Sequence, residues 1–178
     1  SFADLSVLLL LIILLVFIVM ASQFESLTYP FIIMFSVPFA VSGVILAFFI
    51  TGVSLNMMSF VGIIMLVGIV VKNGIVLVDY INLNRGRGMG VIQAVINGGK
   101  SRLRPVLMTT LTTILGMVPL AVSTSEGSEL WKPMAITVIG GLTISTIFTL
   151  IIVPTVYAIF AGNGVKRNRK KWRKKLRA

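Results

Sequence analysis

The chain has 178 residues, of which 57% are hydrophobic and only 12% charged, with a mean hydropathy of +1.03. That composition excludes a water-soluble globular domain and describes an all-α integral membrane protein. The absence of Cys and His excludes disulfides, thiol catalysis, haem ligation and the usual zinc sites, so no cofactor and no metal are expected.

Five stretches are long enough to cross about 30 Å of hydrocarbon as helices. In chain order they cover residues 5–21, 30–50, 57–81, 105–123 and 133–160, making residues 1–162 a transmembrane helical domain. The first has no positive segment before it and no small-residue cleavage site after it, so it is expected to remain in the mature chain rather than act as a signal peptide. In the second, Ser36, Ala40, Gly43 and Ala47 recur every four residues, a small ridge that lets helices approach closely in lipid. Pro38 lies inside this span, Pro119 inside the fourth and Pro154 inside the fifth. Each removes a backbone donor and is expected to kink its helix.

The third span carries Lys72 in the middle of LVGIVVKNGIVLV (66–78). A charge at the bilayer centre costs roughly 2.5 to 3.5 kcal/mol on insertion scales unless it is paired or hydrated, which makes it a functional-site hypothesis. The one carboxylate inside an apolar segment, Asp79, is seven residues on, about 10 Å along the same helix and too far for a direct pair. At 100° per residue, Lys72 shares a face with Met65, Gly68, Val76 and Asp79, and Asn73 lies a quarter-turn away. The alternative is a purely structural ion pair with a partner elsewhere.

Between the third and fourth spans, Val91, Ile92, Val95 and Ile96 form a one-sided apolar stripe. Residues 86–101 are therefore expected to lie as an amphipathic helix on the cytoplasmic membrane surface, ended by Gly98-Gly99. Glycines 86, 88 and 90 are not a phosphate loop, because no strand precedes them and no GK[ST] follows. At the fourth span Arg102, Thr109 and Gly116 share a face flanked by Thr112 and Thr113. Two polar stripes on consecutive spans suit a hydrated path; the competing reading is that each threonine bonds a carbonyl of its own helix. In the fifth span Thr137, Gly141, Ser145 and Thr149 form a second small ridge.

Nine of the sixteen Lys and Arg lie in the tail VKRNRKKWRKKLRA (165–178), and five more in residues 84–104. The positive-inside rule puts both segments, including the whole basic tail over 163–178, in the cytoplasm. Five spans then place the N-terminus outside, and the outside start implies that the chain is a fragment of a longer polypeptide. The tail suits anionic lipids, at about 1 kcal/mol per basic residue, and no motif or aromatic platform suggests nucleic acid.

The motifs FESLTYPFIIMFSVPFAVSG (24–43), TGVSLNMMSFVGIIMLVGIVVKNGIVLVDYIN (51–82) and SRLRPVLMTTLTTILGMVPLA (101–121) resemble the second transmembrane half of resistance-nodulation-division efflux pumps of the hydrophobe/amphiphile (AcrB-like) type. The resemblance covers nearly all of residues 1–160 and nothing diagnostic beyond 163. It implies a proton-driven secondary transporter of the bacterial inner membrane, not an enzyme, exchanging protons for drugs. It further implies that Lys72 faces two aspartates on a helix of the N-terminal transmembrane half, where proton binding drives a conformational cycle. Asn73 follows that lysine as the motif requires, Thr109 is the relay threonine, and Arg102 is the arginine on its cytoplasmic side. The paired aspartates have no counterpart in this chain, and Asp79 is not one of them. Heavy-metal members depart from the lysine pattern, so Lys72 favours amphiphilic organic substrates. A homotrimer, a periplasmic adaptor and an outer-membrane channel are the implied partners.

Two other classes compete. A free-standing five-span anchor or partner subunit would pair Lys72 with an acidic helix of another protein. An intramembrane Ser–Lys hydrolase would use Ser59, but thirteen residues, about 20 Å of helix rise, separate it from Lys72 and forbid a nucleophile–base pair.

Overall fold

The computed structural model describes the backbone of residues 2–175 and the side chains of residues 4–162. Within the described residues the chain is helical, without strands: α1 (Phe2–Phe24), α2 (Thr28–Met34), α3 (Ser36–Thr51), α4 (Met57–Gly86), α5 (Val91–Val122) and α6 (Ser128–Lys175). With α2 and α3 taken together as one interrupted span, five segments are long and apolar enough to cross a membrane. Helices satisfy every backbone donor and acceptor internally, which hydrocarbon demands.

The second span is divided at Phe35. Pro38 accounts for it: without an N–H it cannot bond the carbonyl four residues back, that of Met34, so the ladder is interrupted there, while Phe35 keeps a helical backbone (φ −58°, ψ −23°). Pro30, by contrast, sits in the first turn of α2, where no intrahelical bond is lost. At the other prolines the helix is not interrupted: α5 runs through Pro105 and Pro119, and α6 through Pro133 and Pro154.

The connection between the third and fourth spans also differs from expectation. No helix end occurs at Gly98-Gly99; the apolar stripe of residues 91–96 and the fourth span are one continuous helix, α5. Gly98 serves close packing instead, since a Cβ there would lie 2.6 Å from Ile81 Cγ1 on α4. The fifth span likewise continues as α6 into the basic segment. The lipid contact expected of that segment falls on side chains outside the described residues.

Local chemistry sets the helix ends. Asn56 has an extended backbone (φ −133°, ψ 179°) and accepts from the Ser59 N–H at 3.0 Å, while the Asn56 N–H donates to Ser59 Oγ at 3.2 Å. This reciprocal cap starts α4 and satisfies two otherwise orphaned donors. At the end of α3, Gly52 adopts φ 68° and its N–H bonds the Phe48 carbonyl at 2.9 Å, a left-handed stop that a residue without Cβ adopts most easily.

Helix α6 contacts α2, α3, α4 and α5, and α4 contacts all five other helices, whereas α1 touches only α2 and α4. The ridge residues Thr137, Gly141, Ser145 and Thr149 are all buried, as are Ser36, Ala40 and Gly43 of the facing α3. The approach is close at named points. A Cβ on Gly140 would lie 2.2 Å from Ala47 Cβ, one on Gly43 2.7 Å from the Gly140 carbonyl oxygen, and one on Gly141 2.1 Å from Leu66 Cδ2. Helix α5 joins α6 through a buried hydroxyl pair, Thr110 Oγ1 to Thr146 Oγ1 at 3.2 Å. Large apolar side chains on the outer faces, such as Leu10, Ile45 and Leu115, are exposed, which is the arrangement hydrocarbon rather than water stabilises.

Gly140→Val should therefore force α3 and α6 apart at a cost of about 1–3 kcal/mol and lower the yield of monodisperse protein in gel filtration. Gly116→Val should not, because a Cβ on Gly116 meets nothing within 4 Å. Thr110→Val should shift denaturant unfolding by only about 0.6 kcal/mol, the average worth of an interhelical hydrogen bond in a membrane protein; a loss of several kcal/mol would mean that the hydroxyl pair carries more than packing.

Candidate functional site

Helix α4 spends one face on its neighbours. Ser59, Gly62, Ile63, Leu66, Val67, Val70, Val71, Gly74, Leu77, Val78 and Ile81 are buried at helical spacing, against α2, α3, α5 and α6. The opposite face carries Lys72. Met65, Gly68, Lys72 and Asp79 on it are exposed and Val76 is half-buried, so the stripe expected from 100° periodicity is one face that this chain leaves largely uncovered.

Lys72 lies fifteen residues after Met57 and fourteen before Gly86, about 22 Å and 21 Å from the two ends of α4 at 1.5 Å per residue. Its side chain cannot carry an ammonium to either end. It borders an apolar groove of about 340 Å³ between α1 and α4, lined by Leu15, Val16, Val19, Met20 and Ile75 among others, in which Lys72 is the one charged residue. Within the described residues it makes no ion pair and no hydrogen bond. Asp79 lies on the same face but does not pair with it.

Asn73 is half-buried beside Lys72. Thr109 is exposed on α5, and its hydroxyl donates to its own helix, with the Pro105 and Val106 carbonyl oxygens at 3.1 and 2.9 Å. Thr112 and Thr113 do likewise toward Met108 and Thr109. Self-bonding of this kind satisfies a hydroxyl in lipid without a partner helix. Arg102 is half-buried, with its guanidinium carbon 4.6 Å from the centroid of the Tyr80 ring and its Nε buried without a hydrogen-bond partner. A cation over a ring face gains from the ring quadrupole, and that contact anchors α5 to α4. Tyr80 is eight residues from Lys72, about 12 Å along the axis. The structure thus brings Lys72 and Asn73 together, fastens Arg102 to α4 nearer its end, and leaves Thr109 on the open face of α5. No hydrogen bond or ion pair joins the four. Ser59, the serine weighed as a nucleophile, is committed to the α4 cap.

Sequence reasoning missed a second polar cluster. The Tyr157 hydroxyl of α6 donates to Asn82 Oδ1 and accepts from Arg85 Nη1 at 3.2 Å, and its ring stacks on Tyr29 with centroids 5.6 Å apart. Asn82 and Arg85 are three residues apart and so share a face of α4, which the sequence does signal. Their partner is 75 and 72 residues away and carries no such signal. Among the described residues no three acidic, Cys or His side chains gather as a metal site.

A family profile described as the AcrB/AcrD/AcrF family matches residues 1–161. The swarming motility protein SwrC of Bacillus subtilis (strain 168) is 40% identical over 162 residues, covering 90% of this chain and 15% of that protein. An uncharacterized transporter of Haemophilus influenzae is 42% identical over 160 residues, with 85% of this chain and 15% of that protein covered. Among solved structures, a heavy metal efflux pump superposes in one crystal form with a TM-score of 0.80 at 36% identity, over 88% of this chain and 16% of the pump. A second crystal form gives 0.77 at the same 36% identity, over 90% and 16%. The chain therefore spans about one-sixth of the length of the proteins it matches. With the profile match covering all of its spans, the chain belongs to the AcrB/AcrD/AcrF family of resistance-nodulation-division membrane transporters.

Proposed function

We propose that this chain is the lysine-bearing part of a proton-driven efflux transporter of the bacterial inner membrane, in which Lys72 is the counter-charge to carboxylates on a helix outside the chain. The observation that carries this reading is the position of Lys72, at mid-length of α4 on a largely exposed face bordered by apolar residues of α1, with no ion pair or hydrogen bond among the described residues. An intramembrane ammonium in that setting requires a partner carboxylate or water. A free-standing anchor pairing Lys72 with another protein's acidic helix would meet the same requirement, but membership in a transporter family favours a carboxylate that titrates during transport.

In this mechanism the acidic partner holds Lys72 when ionised and releases it when protonated. The ammonium then turns toward Asn73 or toward Thr109, whose hydroxyl must first leave its own helix carbonyls. The two states differ in their contacts with Lys72, which is the condition for proton binding to shift a conformational equilibrium. Arg102, held on Tyr80, keeps α5 in step with α4 as the helices move. The charge distribution supports an outside N-terminus and a cytoplasmic, lipid-attracted basic tail. A homotrimer with a periplasmic adaptor and an outer-membrane channel is the assembly that the family resemblance suggests.

The cargo has two candidate classes. Lys72 in the GIVVKNG motif favours amphiphilic organic compounds, whereas similarity to a heavy metal efflux pump favours metal ions. Challenge of a susceptible strain expressing the transporter with dyes and bile-salt-like detergents, and separately with metal salts, decides between them.

Lys72→Ala in that transporter should abolish resistance and proton-coupled uptake into everted vesicles while leaving membrane expression unchanged; normal resistance would sink the proposal. Thr109→Ala should reduce the rate by a smaller factor, and full activity would mean that its hydroxyl serves only its own helix.

A further inference from the structure

At the end of the bundle opposite the Asn56 cap, the α1–α2 turn, the end of α4 and α6 border an open cavity of about 190 Å³. Ser26, Thr28, Tyr29, Arg85, Tyr157 and Phe160 line it, together with Ile32 and Ala161. Pockets for drug-sized ligands run to about 300–1,000 Å³, so this one suits a single small group. Its chemistry is one-sided in charge: a guanidinium with no carboxylate among the lining residues. Arg85 gives one donor to Tyr157, whose own proton goes to Asn82, so the guanidinium is oriented from behind while most of its five N–H donors have no anionic acceptor. Ser26 Oγ accepts from the Thr28 N–H at 3.3 Å, which leaves the serine proton to donate. The Thr28 side chain is exposed, with its hydroxyl unengaged.

Guanidinium plus hydroxyl donors is the donor set that recognises a phosphate. The apolar part of the lining identifies its source. The exposed Phe160 and the half-buried Ala161 give nothing to a hydrated inorganic ion but extend the site along the hydrocarbon, where acyl chains lie. We propose that this cavity binds the phosphate group of an anionic phospholipid, with Arg85 as the charged ligand, Ser26 and Thr28 as neutral donors, and Tyr157 as the residue that positions Arg85.

The test is native mass spectrometry of the complete transporter, titrated with dioleoylphosphatidylglycerol against dioleoylphosphatidylcholine. Any basic residue near a membrane attracts anionic lipid without a site, so Arg87→Gln is the control: Arg87 is exposed and lines no part of the cavity. Arg85→Gln should weaken phosphatidylglycerol binding about tenfold and Thr28→Val about threefold, the worth of one charge-assisted and one neutral hydrogen bond. Arg87→Gln and millimolar inorganic phosphate should leave it unchanged. Equal losses from Arg85→Gln and Arg87→Gln would reduce the effect to surface charge, and displacement by inorganic phosphate would make it a free-anion site; either overturns the proposal. Should Arg85→Gln fail to fold for want of its bond to Tyr157, Thr28→Val decides, and lipid binding unaffected by that variant refutes the site.

Discussion

How closely α6 lets its neighbours approach is the constraint on which the bundle depends. In lipid there is no water to exclude, so helices associate by packing, interhelical hydrogen bonds and the small residues that permit both. Gly43 and Gly140 bring α3 and α6 to backbone contact, and Gly62 and Gly141 allow Thr137 of α6 and Leu66 of α4 to interlock. Once that face of α4 is committed, the helical repeat fixes which residues point away from α6. Lys72 is among them. The location of the ammonium is therefore a consequence of glycines on two other helices as much as of its own position in the sequence.

That outward position defines the chemistry available. An ammonium at mid-length of α4, bordered by Val16, Val19 and Ile75, makes no ion pair or hydrogen bond among the described residues, and the threonine hydroxyls of α5 are already engaged: Thr109, Thr112 and Thr113 by helix carbonyls, Thr110 by Thr146. Under the proposed mechanism the carboxylate that answers it comes from outside these helices, and the adjacent Asn73 amide is the local alternative. The same economy of partners holds at the other cluster, where Tyr157 uses its donor and acceptor on Asn82 and Arg85 and so turns a flexible arginine into a fixed one.

Much of this was legible in the sequence because hydrophobic length and small-residue spacing are local properties. The five spans, the ridges on α3 and α6, and the common face of Lys72, Gly68 and Asp79 all follow from counting residues at 100° intervals. What the sequence misjudged depended on contacts. Gly98 was expected to end a surface helix, and nothing in its own neighbourhood reveals that Ile81 needs the space. Pro38 and Pro119 look alike as residues inside apolar spans, yet α2 and α3 separate near the first while α5 continues through the second. Thr110 could not be told from Thr109 without knowing where Thr146 lies, and the Tyr157 cluster joins residues more than seventy positions apart.

The continuity of α5 has a mechanical consequence. Its 32 residues make a rod of about 48 Å, longer than the roughly 30 Å of hydrocarbon it crosses, and it is gripped off-centre, where Gly98 meets Ile81 and Arg102 covers Tyr80. Past its midpoint the same rod is tied to α6 through Thr110 and Thr146. A shift of α4 at the first hold is therefore passed along one stiff element to α6 at the second.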